Sequence, residues 1–354
     1  MNILQQVLHR PFVIKLFNWE YWSFNTIYAP ISIVWFWLCI KARSFFFFSA
    51  SNPSILNGGF LMESKKAIYD ILPAEFYPKT FSVNAQTSPA EVLKTSKSLG
   101  FNYPLIGKPD IGGRGRGVKK LLNEQELVNY AVSSQVDYLV QEFVPFENEV
   151  GLFYYRIPGE PFGHISGIVR KEFLSVTGDG VHTIRQLCLQ EKRFILQLTE
   201  LDKLYAEAMN EVLPAGKFKE LVPYGNHARG ARFIDDSHLT DEELTKSMDT
   251  VCKRVHDFYY GRLDIRFKNW EDLRQGKNFS IIELNGAGSE PTHIYDTRHS
   301  IFFAWSEIIR HWKILWRISI INHGKGVPYL TYKQGTGMLR ENKLSEIKLS
   351  SQHV

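Results

Sequence analysis

Two short stretches, Arg262-Leu-Asp-Ile-Arg-Phe267 and Ile281-Ile-Glu-Leu-Asn285, decide how this chain of 354 residues is interpreted. Each is typical of a β-strand, and the polar loop between them predicts that the two strands pair. Because side chains alternate along a strand, Glu283 and Asn285 share one face, and Asp264 on the first strand can lie beside them. Two carboxylates and an amide oxygen are hard ligands that suit Mg²⁺, which takes few protein oxygens. The alternative is that these charges mark only the solvent face of a sheet, although the Gly-Ala-Gly that follows predicts a close approach of backbone to a ligand.

A glycine-rich turn, Lys108-Pro-Asp-Ile-Gly-Gly-Arg-Gly-Arg-Gly117, lies between predicted strands at 103–108 and 118–122. Glycines let such a turn close over a ligand and direct backbone N–H groups at phosphate oxygens. Lys108, at the end of the first strand, would add a positive charge at the same phosphates. The spacing is not that of a P-loop. Two alternatives stay open, namely a hairpin turn without a ligand and an RNA-binding segment, because Gly-Arg-Gly-Arg is also typical of RNA binders.

The stretch 137–149 combines an apolar predicted strand with a following run of carboxylates. The backbone edge of such a strand can receive an adenine, and a carboxylate can bind ribose hydroxyls. Spacing alone does not distinguish this arrangement from an ordinary strand with an acidic loop. Capping residues predict three helix starts, at Asn123, Thr183 and Thr240. The third helix is predicted to run to about Tyr260, with Gly261 as its end.

Composition excludes several classes of protein. Hydrophobic residues make up 44% of the chain and charged residues 22%, which is typical of a chain that buries a core and excludes a disordered or collagen-like protein. The net charge of +5, from 42 basic and 37 acidic residues, is too small to indicate nucleic acid by itself. Three scattered cysteines, at positions 39, 188 and 252, are typical of reduced thiols in a cytoplasmic protein.

The first hundred residues differ from the rest because aromatic residues crowd the stretch 19–48. Its apolar core, Ile27–Ile40, is shorter than the roughly 20 residues that a membrane-spanning helix needs. It is either a buried element or a segment lying in the cytoplasmic face of a membrane, and the second interpretation is favoured. Basic residues flank this core at Arg10, Lys15, Lys41 and Arg43.

A second aromatic stretch, 301–321, has apolar residues at helical spacing that include Trp312 and Trp316, with basic residues on the opposite face. A basic amphipathic helix rich in Trp predicts binding to a membrane surface. The alternative is a helix that packs its Trp stripe onto the core, against the N-terminal aromatic residues. With two such stretches in one chain, peripheral membrane attachment and core packing have about equal weight.

Taken in order, these motifs resemble the ATP-grasp superfamily of carboxylate–amine ligases, over about 103–295. The lysine with its glycine loop and the Asp264…Glu283-Leu-Asn285 set resemble D-alanine–D-alanine ligase. The segment Val176-Thr-Gly-Asp-Gly-Val-His-Thr-Ile184 and the pair Asn226…Gly230 are similar to cyanophycin synthetase and the related glutathione synthetases. The resemblance implies an α/β (α+β) fold in which two α+β subdomains clamp a nucleotide. The region before this domain is shorter than the family's, which leaves the substrate open.

The resemblance also implies roles for individual residues. Lys108 would bind the nucleotide phosphates beneath a mobile glycine loop, Arg170 or Lys171 would supply a second cation, and Arg262 would steady an acyl phosphate. The implied nucleotide-binding residues are Lys108, Gly112, Gly113, Gly115, Gly117, Gln141, Glu142, Val144, Glu149 and Arg170. The implied metal ligands are Asp264, Glu283 and Asn285, and the implied catalytic residues are Arg262 and Lys171.

The activity implied is ATP-dependent joining of a carboxylate to an amine, with Mg²⁺ or Mn²⁺. The expected partners are a small-molecule or peptide substrate and the inner face of the cytoplasmic membrane, without nucleic acid, and a homo-oligomer is left open. The alternative is an ATP-grasp protein that binds nucleotide without catalysis and acts as a membrane-surface interaction module. The predicted order of segments is an aromatic N-terminus (1–48), a shortened preceding region (49–100), the ATP-grasp domain (101–300), an amphipathic helix (301–330) and a polar tail (331–354).

Overall fold

The computed structural model describes residues 10–113, 115–222 and 230–350, and it is a mixed α/β structure with antiparallel sheets, as predicted. Its strands are β1 Thr80–Val83, β2 Leu105–Pro109, β3 Lys119–Leu121, β4 Tyr138–Glu142, β5 Asn148–Tyr155, β6 His164–Glu172, β7 Leu174–Thr177, β8 Phe218–Val222, β9 Arg232–Asp235, β10 Tyr260–Phe267 and β11 Phe279–Asn285. Its helices are α1 Pro11–Phe17, α2 Phe24–Tyr28, α3 Ser32–Ala42, α4 Lys65–Ile71, α5 Pro89–Ser98, α6 Glu124–Ser133, α7 Ile184–Gln190, α8 Lys192–Ile195, α9 Leu198–Tyr205, α10 Glu242–Lys253, α11 Trp270–Arg274, α12 Ile301–Gly324 and α13 Tyr332–Ser350.

The chain forms two compact units, each built from three separate stretches. The first unit comprises Met1–Ser32, Val169–Asp235 and Thr292–Glu307, and the second comprises Ile33–Ile168, Asp236–Pro291 and Ile308–Val354.

The second unit contains a four-stranded sheet in the order β1-β4-β2-β3. All of its pairs are antiparallel, and Leu105 of β2 lies between Leu121 of β3 and Glu142 of β4. Buried residues of α5 and α6 pack on this sheet in one hydrophobic cluster, which includes Val92 and Leu127. The sheet and its two helices therefore hold the chain rigid on both sides of the glycine-rich turn.

The same unit contains β11, β10 and β5, paired in that order and antiparallel throughout. The inward-facing residues of these strands pack against α10 in the largest cluster of the unit, where Leu263, Ile265 and Met248 are almost inaccessible to solvent. Alternation along the strands therefore leaves Arg262, Asp264 and Arg266 on the other face.

A third cluster of the second unit brings the two aromatic stretches together. Trp35 contacts Trp312 edge to face, with ring centroids 5.2 Å apart, and Trp316 packs in the same cluster. Trp312 and Trp316 are partly buried in this cluster, which is what the alternative of core packing predicts. Contact with apolar neighbours removes part of their surface from water without a membrane. Attachment of this helix to a membrane stays a prediction.

The first unit contains the β7-β8 pair and β9, which pairs with Val169–Glu172 at the end of β6. A buried ion pair in this unit joins Arg193 of α8 to Glu20, with the guanidinium nitrogen 2.6 Å from the carboxylate oxygen. Arg193 also donates to the carbonyl of Ala231. Since a buried charge is costly unless it is paired and hydrogen-bonded, this ion pair fixes α8 to the N-terminal segment.

Several local predictions can be compared directly with the structure. Thr183 forms a full capping box at the start of α7, as predicted. The third helix instead begins after Asp241, whose side chain accepts from the backbone N–H of Leu244, and it ends at Lys253. Gly261 does not end a helix but lies in β10, directly opposite Tyr154 of β5. Of the predicted polar tail, Tyr332–Ser350 form α13.

One stretch, Phe24–Ala42, is long and apolar enough to cross a membrane by length and composition, with a mean hydropathy of 1.2. It is interrupted by a short 3-10 turn at Ala29–Ile31, where Pro30 occurs. Among the residues that the structure describes, this is the one helical stretch that meets both conditions.

Candidate active site

Polar side chains of β10 and β11 meet on one face of the sheet in the second unit. In the antiparallel register, Asp264 lies directly opposite Glu283, and Arg262 lies directly opposite Asn285. Directly opposed residues project to the same side of a sheet, with Cβ atoms about 5 Å apart. The structure therefore brings the three predicted metal ligands and the predicted catalytic arginine together, and the alternation seen in the sequence is enough to explain it.

A β-bulge next to this group redirects one carbonyl. The register shifts after Asp264, so that Ile265 pairs with Ile281 and Ile282 is left as the extra residue. The carbonyl oxygen of Ile282 accepts from the Tyr69 hydroxyl at 2.5 Å and from the Lys108 ammonium at 3.1 Å. A bulge frees a backbone group from the ladder in this way. It places Lys108 beside Glu283, the residue that follows Ile282.

Lys108 is buried and makes three hydrogen bonds. Its Nζ donates to the Tyr69 hydroxyl at 2.7 Å and to Oε1 of Gln141 at 2.9 Å, besides the carbonyl of Ile282. Burial lowers the pKa of Lys108 to about 8, against the raising effect of Glu283 and Asp110. The amine is therefore still mostly charged at neutral pH, but its pKa lies nearer to neutrality than that of an exposed lysine, as is common at functional sites.

Arg262 and Asp264 form an ion pair within one strand. Nε of Arg262 lies 2.9 Å from Oδ1 of Asp264, and a second nitrogen lies 3.3 Å from Oδ2. Burial would lower the pKa of Arg262, but the charge of Asp264 and the hydrogen bond to it, together with Glu283 and Glu290, raise it overall. The guanidinium is therefore firmly charged and lies beside the carboxylates.

The sequence analysis did not assign roles to Glu63, Lys65 and Tyr69, which lie beside the polar residues of this strand pair. Nζ of Lys65 lies 3.8 Å from Oε1 of Glu283 and donates to the carbonyl of Gly112 at 2.5 Å. Burial raises the pKa of Glu63, and Lys65 partly offsets this effect. Lys65 begins α4, which Ser64 caps. Only the fold brings this segment to the strand pair.

The donors in this group fit a hard divalent cation. Asp264 is 4% exposed and Glu283 is partly accessible. In the described part of the chain, Nδ2 of Asn285 is a buried polar atom without a hydrogen-bond partner. The nitrogen and oxygen of an amide are exchanged by a simple flip, so one arm of Asn285 is available as an oxygen ligand. Within the same residues, no group of three or more His, Cys, Asp or Glu side chains is arranged to hold a metal ion.

The glycine-rich turn contacts the C-terminal helix. Gly112 has φ +135°, and a Cβ there would lie 2.6 Å from Cδ1 of Leu349 in α13. Arg116 and Glu346 form an ion pair at 2.9 Å. At the other end of the turn, the carbonyl of Gly117 accepts from the Tyr130 hydroxyl at 2.8 Å. Gly113 and Gly115 have open space where a Cβ would be, whereas Arg114 of the same predicted loop lies outside the described residues.

The predicted adenine-binding residues lie in β4, in the loop after it and at the start of β5. Gln141 is buried and accepts from Lys108, and the backbone of Glu142 pairs with Leu105. Val144 and Glu149 contact one arginine, because Arg266 donates to the carbonyl of Val144 at 3.3 Å and to the Glu149 carboxylate at 3.2 Å.

Glu149 is therefore paired with Arg266, which was not assigned in the sequence. A role of Glu149 toward ribose stays a prediction. It would require the carboxylate to accept from ribose hydroxyls in addition to the guanidinium, which its four lone-pair positions allow.

The second predicted cation lies in the first unit. Arg170 pairs with Ile234 and Lys171 with Phe233 in the β6-β9 ladder, so the two basic side chains project to opposite faces. Arg170 contacts Glu172 at 2.7 Å. The choice between Arg170 and Lys171 as a phosphate-binding residue stays a prediction, as do the individual roles of the other residues above. The segment that includes Asn226 lies outside the described residues.

No family model matches the chain, and no curated protein matches its sequence. Among solved structures, it is similar to a bifunctional glutathione synthetase from Pasteurella multocida, with 15% identity, a TM-score of 0.39, and coverage of 72% of this chain and 38% of that one. It is also similar to D-alanine–D-alanine ligases from Bacillus anthracis (13% identity, TM-score 0.42, 74% and 69% coverage) and Coxiella burnetii (10%, 0.39, 80% and 61%).

These structures are of the two kinds of ligase that the sequence motifs resemble. The chain spans about two fifths of the length of the glutathione synthetase, at 38%. A likeness at these identities and TM-scores concerns the fold and carries nothing about activity or substrate.

Proposed function

We propose that this chain is an ATP- and Mg²⁺-dependent ligase that joins a carboxylate to an amine through an acyl phosphate. The observation that supports it most directly is the meeting of Asp264, Glu283 and Asn285 on one sheet face, beside Arg262 and the buried Lys108. Acidic and amide oxygens beside two cations form a group that can bind a metal-complexed triphosphate.

Each residue has a chemical task in this proposal. Asp264, Glu283 and Asn285 would hold the metal, which would supply positive charge against the transferring phosphoryl group. Lys108, which now donates to Tyr69 and Gln141, would bind phosphate oxygens. Arg262, which now pairs with Asp264, would bind the acyl phosphate. No protein nucleophile is required, since the reaction depends on positioning and charge.

The proposed substrate is an amino acid, a peptide or a lipid-linked acid, at the cytoplasmic face of the membrane. The region 49–100, which would form part of the substrate site in such a ligase, supplies Glu63 and Lys65 near the strand pair. A carboxylate and an ammonium so placed suit a substrate that itself carries both charges.

The test is formation of ADP and phosphate from ATP, with a panel of acid and amine pairs. We expect turnover only when both an acid and an amine are present, and formation of a hydroxamate when hydroxylamine replaces the amine. ATP binding without ADP formation for any acid and amine pair would favour the alternative of a nucleotide-binding module without catalysis.

Glu283→Gln removes one charge and little volume, so turnover should fall at least a hundredfold while the fold is kept. Glu243→Gln, an exposed charge in the first turn of α10, is the matched control and should keep full activity. Unchanged turnover in Glu283→Gln would contradict the assignment. RNA binding that survives Asp264→Asn would instead support the RNA-binding interpretation of the glycine loop.

A further inference from the structure

The helix α3 in the second unit has an exposed apolar face. Ile33, Phe36, Trp37 and Ile40 are 74%, 54%, 56% and 69% exposed, and they recur at the i, i+3, i+4, i+7 spacing of one helix face. The opposite face is buried, because Leu38, Cys39 and Ala42 pack in the cluster that contains the aromatic residues of α12. An ordinary surface helix has a polar face toward solvent, whereas this exposed face, 33–40, is apolar.

Basic residues border this face, and acidic residues are missing from its sequence surroundings. Lys41 and Arg43 are exposed beside it, and Nζ of Lys41 lies 5.4 Å from the centroid of the Trp37 ring and 5.8 Å from that of Trp316. The sequence contains no Asp or Glu from position 21 to position 62. The combination of large apolar side chains and positive charge is complementary to an anionic lipid surface.

We propose that the exposed face of α3 docks on the surface of an anionic lipid bilayer, with its aromatic rings at the depth of the headgroups. Apolar patches of this kind mark interaction sites. Trp37 suits the membrane interface because its ring is apolar and its N–H is polar. Lys41 and Arg43 contact the lipid phosphates.

The helix lies on the bilayer and does not cross it. Its buried face is occupied by the protein's own cluster, and only one face is free for lipid. A second copy of the chain is a poorer occupant, because a symmetric contact of this face with itself would bring Lys41 and Arg43 of both copies together. Lipid phosphates neutralise the same charges.

Helix α1 in the first unit has the same combination independently. Phe12, Leu16 and Phe17 are exposed, Lys15 lies among them, and Ile14 is buried. Each unit thus presents an apolar and basic helix face of its own. Two such faces in one chain favour membrane attachment over a chance exposure of single residues.

The test is co-sedimentation of the full chain with phosphatidylcholine vesicles with and without 30% phosphatidylglycerol, in the absence of ATP and substrate. The result is therefore independent of the proposed ligase activity. We expect binding to the anionic vesicles, weakened by high salt. The variant Phe36→Ser/Trp37→Ser/Ile40→Ser should reduce binding at least tenfold. Lys41→Gln/Arg43→Gln should remove the preference for anionic vesicles.

The matched control is Leu122→Ser/Val132→Ser, which removes two other exposed apolar side chains of the second unit and should bind like the native chain. Circular dichroism establishes that every variant is folded. Failure of the native chain to bind anionic vesicles, or equal binding by the α3 triple variant, would overturn the proposal. So would a stable dimer that the triple variant converts to a monomer, because a second copy would then cover the face.

Discussion

The strand pair β10–β11 and the glycine-rich turn after β2 both supply predicted binding residues in the second unit, but different contacts hold them in place. On the strand pair, the ladder itself sets Asp264 opposite Glu283. The turn is held by side chains distant in sequence, since Arg116 pairs with Glu346, 230 residues further on. Alternation along paired strands therefore positions binding residues through local backbone geometry. The position of a glycine turn depends instead on the elements that pack against it.

The largest effect is expected where the strand pair loses a buried charge. Asp264→Ala leaves the partly buried Arg262 without its carboxylate, so we expect a loss of about 3 kcal/mol, the lower end of the range for a buried pair that is broken from one side. Urea unfolding measures this loss of free energy of unfolding. Asp70→Ala, which breaks an exposed pair with Lys66, is the control and should cost less than about 1 kcal/mol. A loss as small as the control's would mean that the ladder alone holds the site.

The next effect concerns Lys108, which stands between the two regions. Its amine is charged below the lowered pKa of about 8 and neutral above it, so kcat/KM for ATP should fall as the pH rises through about 8. Lys108→Met should lower kcat/KM about ten- to a hundredfold at pH 7, because it removes a hydrogen bond from a charged donor. It should also abolish this alkaline decrease. An alkaline decrease that persists in Lys108→Met would assign it to another group.

A smaller effect is expected from the turn. Gly112→Ala places a Cβ at φ +135° and 2.6 Å from Leu349, so we expect a loss of about 1–2 kcal/mol. In a Leu349→Ala background, the contact is removed and only the backbone strain stays. A double-mutant cycle by thermal unfolding separates the two contributions. Purely additive effects would show that α13 does not hold the turn.

The smallest effect is expected from Glu346→Gln. The Arg116–Glu346 pair is partly exposed, and ion pairs at the surface contribute about 0–1 kcal/mol. High salt should reduce the difference from the native chain further. A loss well above this range would show that α13 holds the turn mainly by charge, and the comparison with the strand pair would then need revision.

The aromatic stretches show the limit of prediction from composition. Both 27–40 and 301–321 are rich in Trp and accompanied by basic residues. The sequence favoured a membrane for the first stretch, and with both stretches considered it gave membrane attachment and core packing about equal weight. In the structure, Trp312 packs against Trp35, while Phe36 and Trp37 stay exposed. Periodicity identifies a helix face, but it does not tell which neighbour covers that face.

The sequence by itself determined the strand pair, the side of the sheet that Asp264, Glu283 and Asn285 share, and the capping box at Thr183, because alternation and capping depend on neighbours along the chain. Only the tertiary structure decided that Ile282 bulges to meet Lys108, that Lys65 reaches Glu283, and that α13 packs on Gly112. These contacts join residues far apart in the chain, and their geometry depends on how whole elements pack, which no local pattern records.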